Sequence, residues 1–166
     1  MLTLETEIYS EGNNKIYLET ANKLLKYNLP LKFMNMGNSN QIESYFRTLS
    51  NNTITRKIIF LFDCDAIDEF NKCDKIKIDK LIPMITPYNH DNKKVKSGIE
   101  NLFQENLFTD FFYTEEIKVR SDGGSVITKS LDKKRFLEYI CHERNNILDF
   151  ENFRPLFEEF SKQLNN

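Results

Sequence analysis

The sequence predicts an α/β domain with a mostly parallel central sheet, helices flanking it, and additional helices toward the C-terminal end. Three observations predict it. Short apolar runs alternate with segments of helical period, the pattern of strands joined by crossover helices. The run IIFLF (58–62) is apolar at every position, as expected for a central strand buried on both faces. Carboxylates stand directly after two of the strand-like runs, where open α/β sheets bind their ligands.

The elements follow in order. EIYS (7–10) reads as a strand ending at Glu11-Gly12. KIYLETANKLLKY (15–27) places Tyr17, Leu18, Ala21, Leu24 and Leu25 on one helical face. LKFMNM (31–36) is a second strand, closed by Gly37. Asn38 or Ser39 can cap the next helix, whose Ile42, Tyr45, Phe46 and Leu49 recur at helical spacing. After IIFLF come Asp63-Cys64-Asp65, a short acidic helix in which Asp68 and Glu69 favour the N-terminus, and a further strand in KLIPMITP (80–87). NLFQENLFTDFF (101–112) is expected to be helical, and Gly123-Gly124 to form a tight turn in a hairpin. LDKKRFLEYIC (131–141) and FENFRPLFEEFSKQL (150–164) read as closing helices. The last carries the apolar stripe Phe153, Leu156, Phe157, Phe160 and Leu164.

The 166 residues suit one domain with its own core, and no linker divides residues 1–166. Fourteen Phe and seven Tyr against no Trp point to a core of Phe and aliphatics. No apolar run reaches the length of a membrane span, and MLTLETEIYSEG lacks the basic start and apolar stretch of a secretory signal. Three scattered cysteines, no CxxC and two histidines argue against both a zinc site and a disulfide framework, and reduced cysteines fit a cytoplasmic protein. Cys64, between two aspartates, is expected to point into the fold. The net charge is −2, but residues 118–135 hold six Lys/Arg and two Asp, a local surplus that can meet phosphates or simply form a solvated face.

The chemistry resides in the strand-end carboxylates. Glu11 ends the first strand, and Asp63 and Asp65 follow the buried one. Carboxylates beside a dry sheet edge need compensating charge, and a divalent cation supplies it. Mg²⁺ takes hard oxygen ligands, keeps several waters and uses one or two carboxylates directly. The spacing of two in Asp63-x-Asp65 places both carboxylates on one side for as long as the chain stays extended. The plain alternatives are a turn at Glu11-Gly12 and a helix cap at the aspartates.

EIYSEGNNKIYLE, followed about fifty residues later by IIFLFDCDA, resembles the TOPRIM domain of topoisomerases, bacterial primases and the overcoming-lysogenization-defect nucleases. That family carries a Glu-Gly after its first strand and a DxD after a later buried strand, matched here by Glu11-Gly12 and Asp63-Cys64-Asp65. KSGIENLF (96–103) and LDKKRFLEYIC resemble the nuclease branch. The resemblance implies a Rossmann-like TOPRIM fold and metal-dependent hydrolysis of phosphodiester bonds, with DNA as the expected substrate and an antiviral defence system as the setting. Its implied cofactor is Mg²⁺ or Mn²⁺, with two cations about 3.5–4 Å apart. Glu11, Asp63 and Asp65 match the family's metal positions. Glu100 is a candidate ligand of the second metal, or else a helix-start glutamate. Lys133 is the candidate for stabilising charge on the phosphate, with Lys129 and Lys134 as rivals.

The nuclease branch also implies an ABC-type ATPase, as a neighbouring domain or a separate subunit. A nuclease that cuts both strands commonly pairs two sites, which points to a homo-oligomer. One departure stands out: nuclease-type members often carry an acidic residue four positions after the motif glutamate, where this chain has Lys15. A catalytically weak regulatory module acting with a partner ATPase is the second reading. A DxD phosphatase is the third, and it leaves Glu11 without a role. No GxxxxGK[ST] occurs, so the chain is not itself a P-loop NTPase.

Overall fold

The strand Ile58–Phe62 (β3) forms because five consecutive apolar side chains can all be buried in a sheet covered on both faces. A computed structural model describes residues 6–119, 121 and 123–165. In it β3 lies between Thr6–Glu11 (β1) and Leu81–Ile85 (β4), and β1 is flanked on its other side by Leu31–Met36 (β2). The order is β2-β1-β3-β4, with every pair parallel. Each connection is a crossover through a helix: Asn14–Leu24 (α1), Ser39–Ser50 (α2) and Ile67–Asp74 (α3).

The period of two along the strands divides the core into two layers. Ile8, Ile59 and Leu61 face α1 and the C-terminal helices, where Phe103, Phe136, Phe150, Phe153, Phe157 and Phe160 are buried. Ile58, Phe60 and Phe62 face α2 and α3 through Ile42, Phe46 and Cys73. Asn38 caps α2 with a complete capping box: its side chain accepts from the Gln41 N–H while the Gln41 side chain accepts from its own.

The later elements pack on the first layer. Tyr113–Val119 (β5) and Ser125–Leu131 (β6) form an antiparallel hairpin outside the main sheet. Lys133–Glu138 (α4) follows, continued as π-type turns through Arg144. A 3₁₀ segment, Ile147–Phe153, leads into Arg154–Asn165 (α5). No helix among the described residues is long and apolar enough to cross a membrane.

Four expectations need correction. The first helix stops at Leu24 rather than Tyr27, because Lys26 and Asn28 adopt left-handed backbone angles. Residues 101–112 are not a helix but three short 3₁₀ turns (Ile99–Leu102, Glu105–Leu107, Asp110–Phe112). The Asn92 side chain donates to the carbonyls of Asn101 and Phe103, and Asn101 donates to those of Asn89 and Val95, a network that competes with helical bonding. Leu131 belongs to β6, and the helix after it begins at Lys133, where Asp132 accepts from the Arg135 N–H. The last α-helix begins at Arg154, four residues after the start of the segment read as helical, because Phe150–Phe153 belong to the 3₁₀ segment.

Candidate functional site

The chain reverses direction within the sheet at β1: it passes first to β2 on one side, then returns to β3 on the other. The carboxyl ends of β1 and β3 therefore splay a crevice, the topological switch point where ligands bind in such sheets. Glu11, the last residue of β1, and Asp63, the first after β3, stand at its mouth. The Asp63 N–H donates to Glu11 Oε1 (3.2 Å), and the backbone of Ser39 at the start of α2 favours the charge of the same carboxylate. The ends of β1 and β3 thus meet at one side chain.

Asp63 is 8% exposed. Its Oδ1 accepts from Asn14 Nδ2 at 2.7 Å, a buried bond from the first residue of α1. A cleft of about 210 Å³ opens here, lined by Glu11, Asn14, Asp63, Glu100 and Lys133 among others. Glu100 is also buried, and Lys133 Nζ donates to its Oε2 at 3.0 Å. The Lys133 stem, at the start of α4, is half exposed, so its charge reaches the cleft from the solvent side.

Gly98 brings these groups together. Its φ of +73° and ψ of 174° lie in a region open essentially to glycine. A β-carbon there would meet Glu100 Oε2 at 2.5 Å, Lys133 Nζ at 2.8 Å and Asp63 Oδ2 at 3.7 Å. Its N–H donates to Asp65 Oδ1 at 2.8 Å, and its carbonyl accepts a long bond from Cys64 Sγ. Cys64 is buried, as expected of it.

The electrostatics follow from this crowding. Burial, with the charges of Glu11 and Glu100 added, pushes the Asp63 carboxyl up to about 7 against the relief given by Asn14 and Lys133. Burial likewise raises Glu11, with Asp65 adding to the effect. Burial draws the Lys133 ammonium down, but Glu100, Asp63 and Asp65 outweigh it and the net shift is upward. The cluster holds more negative charge than one lysine balances.

The structure places Glu11, Asp63, Glu100 and Lys133 in one cleft and Asp65 beside it. The chain already turns at Asp63, whose carbonyl accepts from the Ala66 N–H at 2.9 Å, yet both aspartates reach Gly98: Asp65 Oδ1 accepts from its N–H, and Asp63 Oδ2 lies 3.7 Å from the place a β-carbon there would take. Lys129 pairs with Glu115 and Asp110 on the hairpin, and Lys134 lines a separate depression beside Phe111. Of the three lysines, only Lys133 lines the cleft. Lys15 pairs with Glu19 on an exposed face.

Sequence reasoning missed Asn14 and Gly98. The signal for Asn14 was its position three residues after Glu11, which a helix start turns back toward the strand ends. Gly98 lies within KSGIENLF (96–103), the segment that resembles the nuclease branch, but no local pattern in it singles out the glycine. Among the described residues no three His, Cys, Asp or Glu side chains are arranged to close on a single metal ion. The donors fit a hydrated hard cation, which takes one or two carboxylates directly and holds its other partners through water. No family model, curated protein or solved structure matches the chain.

Proposed function

We propose that the chain is a divalent-metal-dependent nuclease of TOPRIM type that hydrolyses phosphodiester bonds, with DNA as its substrate and Mg²⁺ or Mn²⁺ as its cofactor. The observation that carries this reading is the meeting of Glu11, Asp63 and Glu100 with Lys133 around the bare backbone of Gly98, at the switch point of a parallel sheet. The carboxylates are hard donors with charge in excess, and the cation-binding role matches their chemistry.

A divalent cation bound there supplies Lewis acidity toward a phosphoryl oxygen and a nucleophilic water at neutral pH. The residues supply the rest. Glu11 and Asp63 present oxygens from two adjacent strand ends, and Asn14 holds Asp63 in one orientation. Glu100 offers a further carboxylate across the cleft. Lys133 leaves Glu100 for a phosphate oxygen and offsets charge as it builds. Gly98, without a side chain, lets the phosphodiester approach the floor of the cleft. Asp65, tied to the Gly98 N–H, acts as a positioning residue for that floor.

Cleavage of supercoiled plasmid by the purified chain, with Mg²⁺, Mn²⁺ or EDTA, tests the proposal beside Asp63→Ala. The expected result is nicking that requires metal and disappears in the variant. Equal nicking by both proteins would overturn the assignment. Metal binding without cleavage would favour the second reading, a regulatory module that works with a partner ATPase. The exposed Lys15, where related nucleases often carry an acid, is the residue that motivates that reading.

A further inference from the structure

The β5–β6 hairpin lies outside the main sheet and meets the first core layer at its base, through Tyr113 and Leu131. An isolated two-stranded ribbon is marginal in water unless its faces or edges are covered. Here Ile117, Val119 and Ile127 are 69%, 76% and 60% exposed, all on one face, with Ile117 directly opposite Ile127. The edge of β5 carries the order Glu116-Ile117-Lys118. Exposed apolar strands of this kind are pairing templates, which proteins usually blunt with unmatched charge.

The backbone pattern says which residues face outward. The Asp132 N–H donates to the Phe112 carbonyl at 2.7 Å, so in this ladder the even-numbered residues of β5 bond to β6. Ile117 and its odd-numbered neighbours turn their N–H and C=O to the outer edge, which no strand among the described residues covers. Two β5 edges can therefore meet antiparallel with Ile117 on a two-fold axis. That register sets Glu116 opposite Lys118 of the second copy, and Lys118 opposite its Glu116. Centring on Glu116 or on Lys118 would set like charges face to face. The charge order is thus self-complementary in one register, as an isologous contact requires.

We infer that the outer edge of β5 is a homodimer interface, where two copies pair antiparallel about Ile117 to form the four-stranded sheet β6-β5-β5-β6. The four strands align Ile127 and Ile117 of one copy with Ile117 and Ile127 of the other in one apolar row. Glu116 and Lys118 form reciprocal cross-strand pairs on the opposite face. The acidic Glu115 and Glu116 beside Lys118 and Lys129 make the ribbon a poor match for a polyanion, which favours a second copy as its partner.

Sedimentation equilibrium across a wide range of concentration tests this without reference to the carboxylate cleft. The chain is expected to associate to twice its 19.7 kDa mass. Glu116→Lys and Lys118→Glu each place like charges in register, and each is expected to weaken self-association at least tenfold. An equimolar mixture of the two variants restores opposite charges at both positions and is expected to recover the dimer, as is the double variant. A chain that stays monomeric at every concentration overturns the inference. So does a dimer that the single variants leave intact, or a mixture that fails to recover association while both variants keep the wild-type circular dichroism.

Discussion

Asn14 Nδ2 donates to Asp63 Oδ1 across 2.7 Å, and this bond orients the carboxylate at the end of β3 so that its other oxygen faces Gly98. A neutral amide therefore occupies a place at the cleft where a further carboxylate would have raised the crowding of negative charge. The helix that starts at Asn14 and the strand that ends at Phe62 are thus tied to each other at the cleft.

Replacing Asn14 with Leu leaves the buried Asp63 without its amide donor. A loss of about 1–3 kcal/mol in unfolding free energy is expected by urea denaturation. Asn14→Asp should destabilise the metal-free chain by a similar order through like charge, and Mn²⁺ should recover more stability in that variant than in wild type. A recovery no larger than in wild type would place residue 14 outside the cation's reach.

The Asp63 carboxyl gives metal-free stability a definite pH dependence. Its folded pKa, about 7, lies above the ordinary aspartate value of about 3.9. Between those values the folded chain holds a proton that the unfolded chain has released. Stability from this group is therefore full below about pH 4 and is lost as pH rises toward 7. Asp63→Asn should abolish this part of the decline, and unfolding followed at pH 5 and pH 8 in EDTA measures it. A wild-type profile unchanged by the substitution would contradict the buried, crowded carboxylate.

Gly98→Ala combines an unfavourable backbone conformation with a β-carbon against Glu100 and Lys133. It should cost about 1–3 kcal/mol of stability. It should also lower cation affinity, because Glu100 must move. Thermal unfolding and Mn²⁺ titration read the two effects separately. Full cation affinity in the variant would show that the space beside Gly98 is not part of the site.

Lys133→Ala is expected to slow cleavage by about two to three orders of magnitude while leaving Mn²⁺ affinity little changed, as loss of one charge-stabilising donor does. Lys129→Ala, on the hairpin and ion-paired with Glu115, should change neither. Glu100→Ala should raise the metal concentration needed for half-maximal cleavage. Single-turnover rates at several metal concentrations separate the three.

Much of this was legible in the sequence where one physical signal dominated. The unbroken run Ile58–Phe62 fits a strand covered on both faces, and that reading put Asp63 at a sheet end, where it stands. Helical spacing in Ile42, Tyr45, Phe46 and Leu49 located α2, and Asn38 its cap. Residues 101–112 misled because their apolar spacing suits a helix, while the decisive bonds come from Asn92 and Asn101 across a loop. The convergence of Glu100 and Lys133, 33 residues apart, at Gly98 is a tertiary fact that no local pattern encodes. The turn that begins at Asp63 was hidden for the same reason: an apolar strand does not reveal where its extended backbone ends.

The proposed function requires the carboxylates at the ends of β1 and β3 to hold a cation. Calorimetric titration of Mn²⁺ into the metal-free chain at pH 8, beside Asp63→Asn, tests it most directly. The account predicts saturable binding in the wild type that weakens at least tenfold in the variant. Identical binding by the two proteins, or none by the wild type, would contradict it.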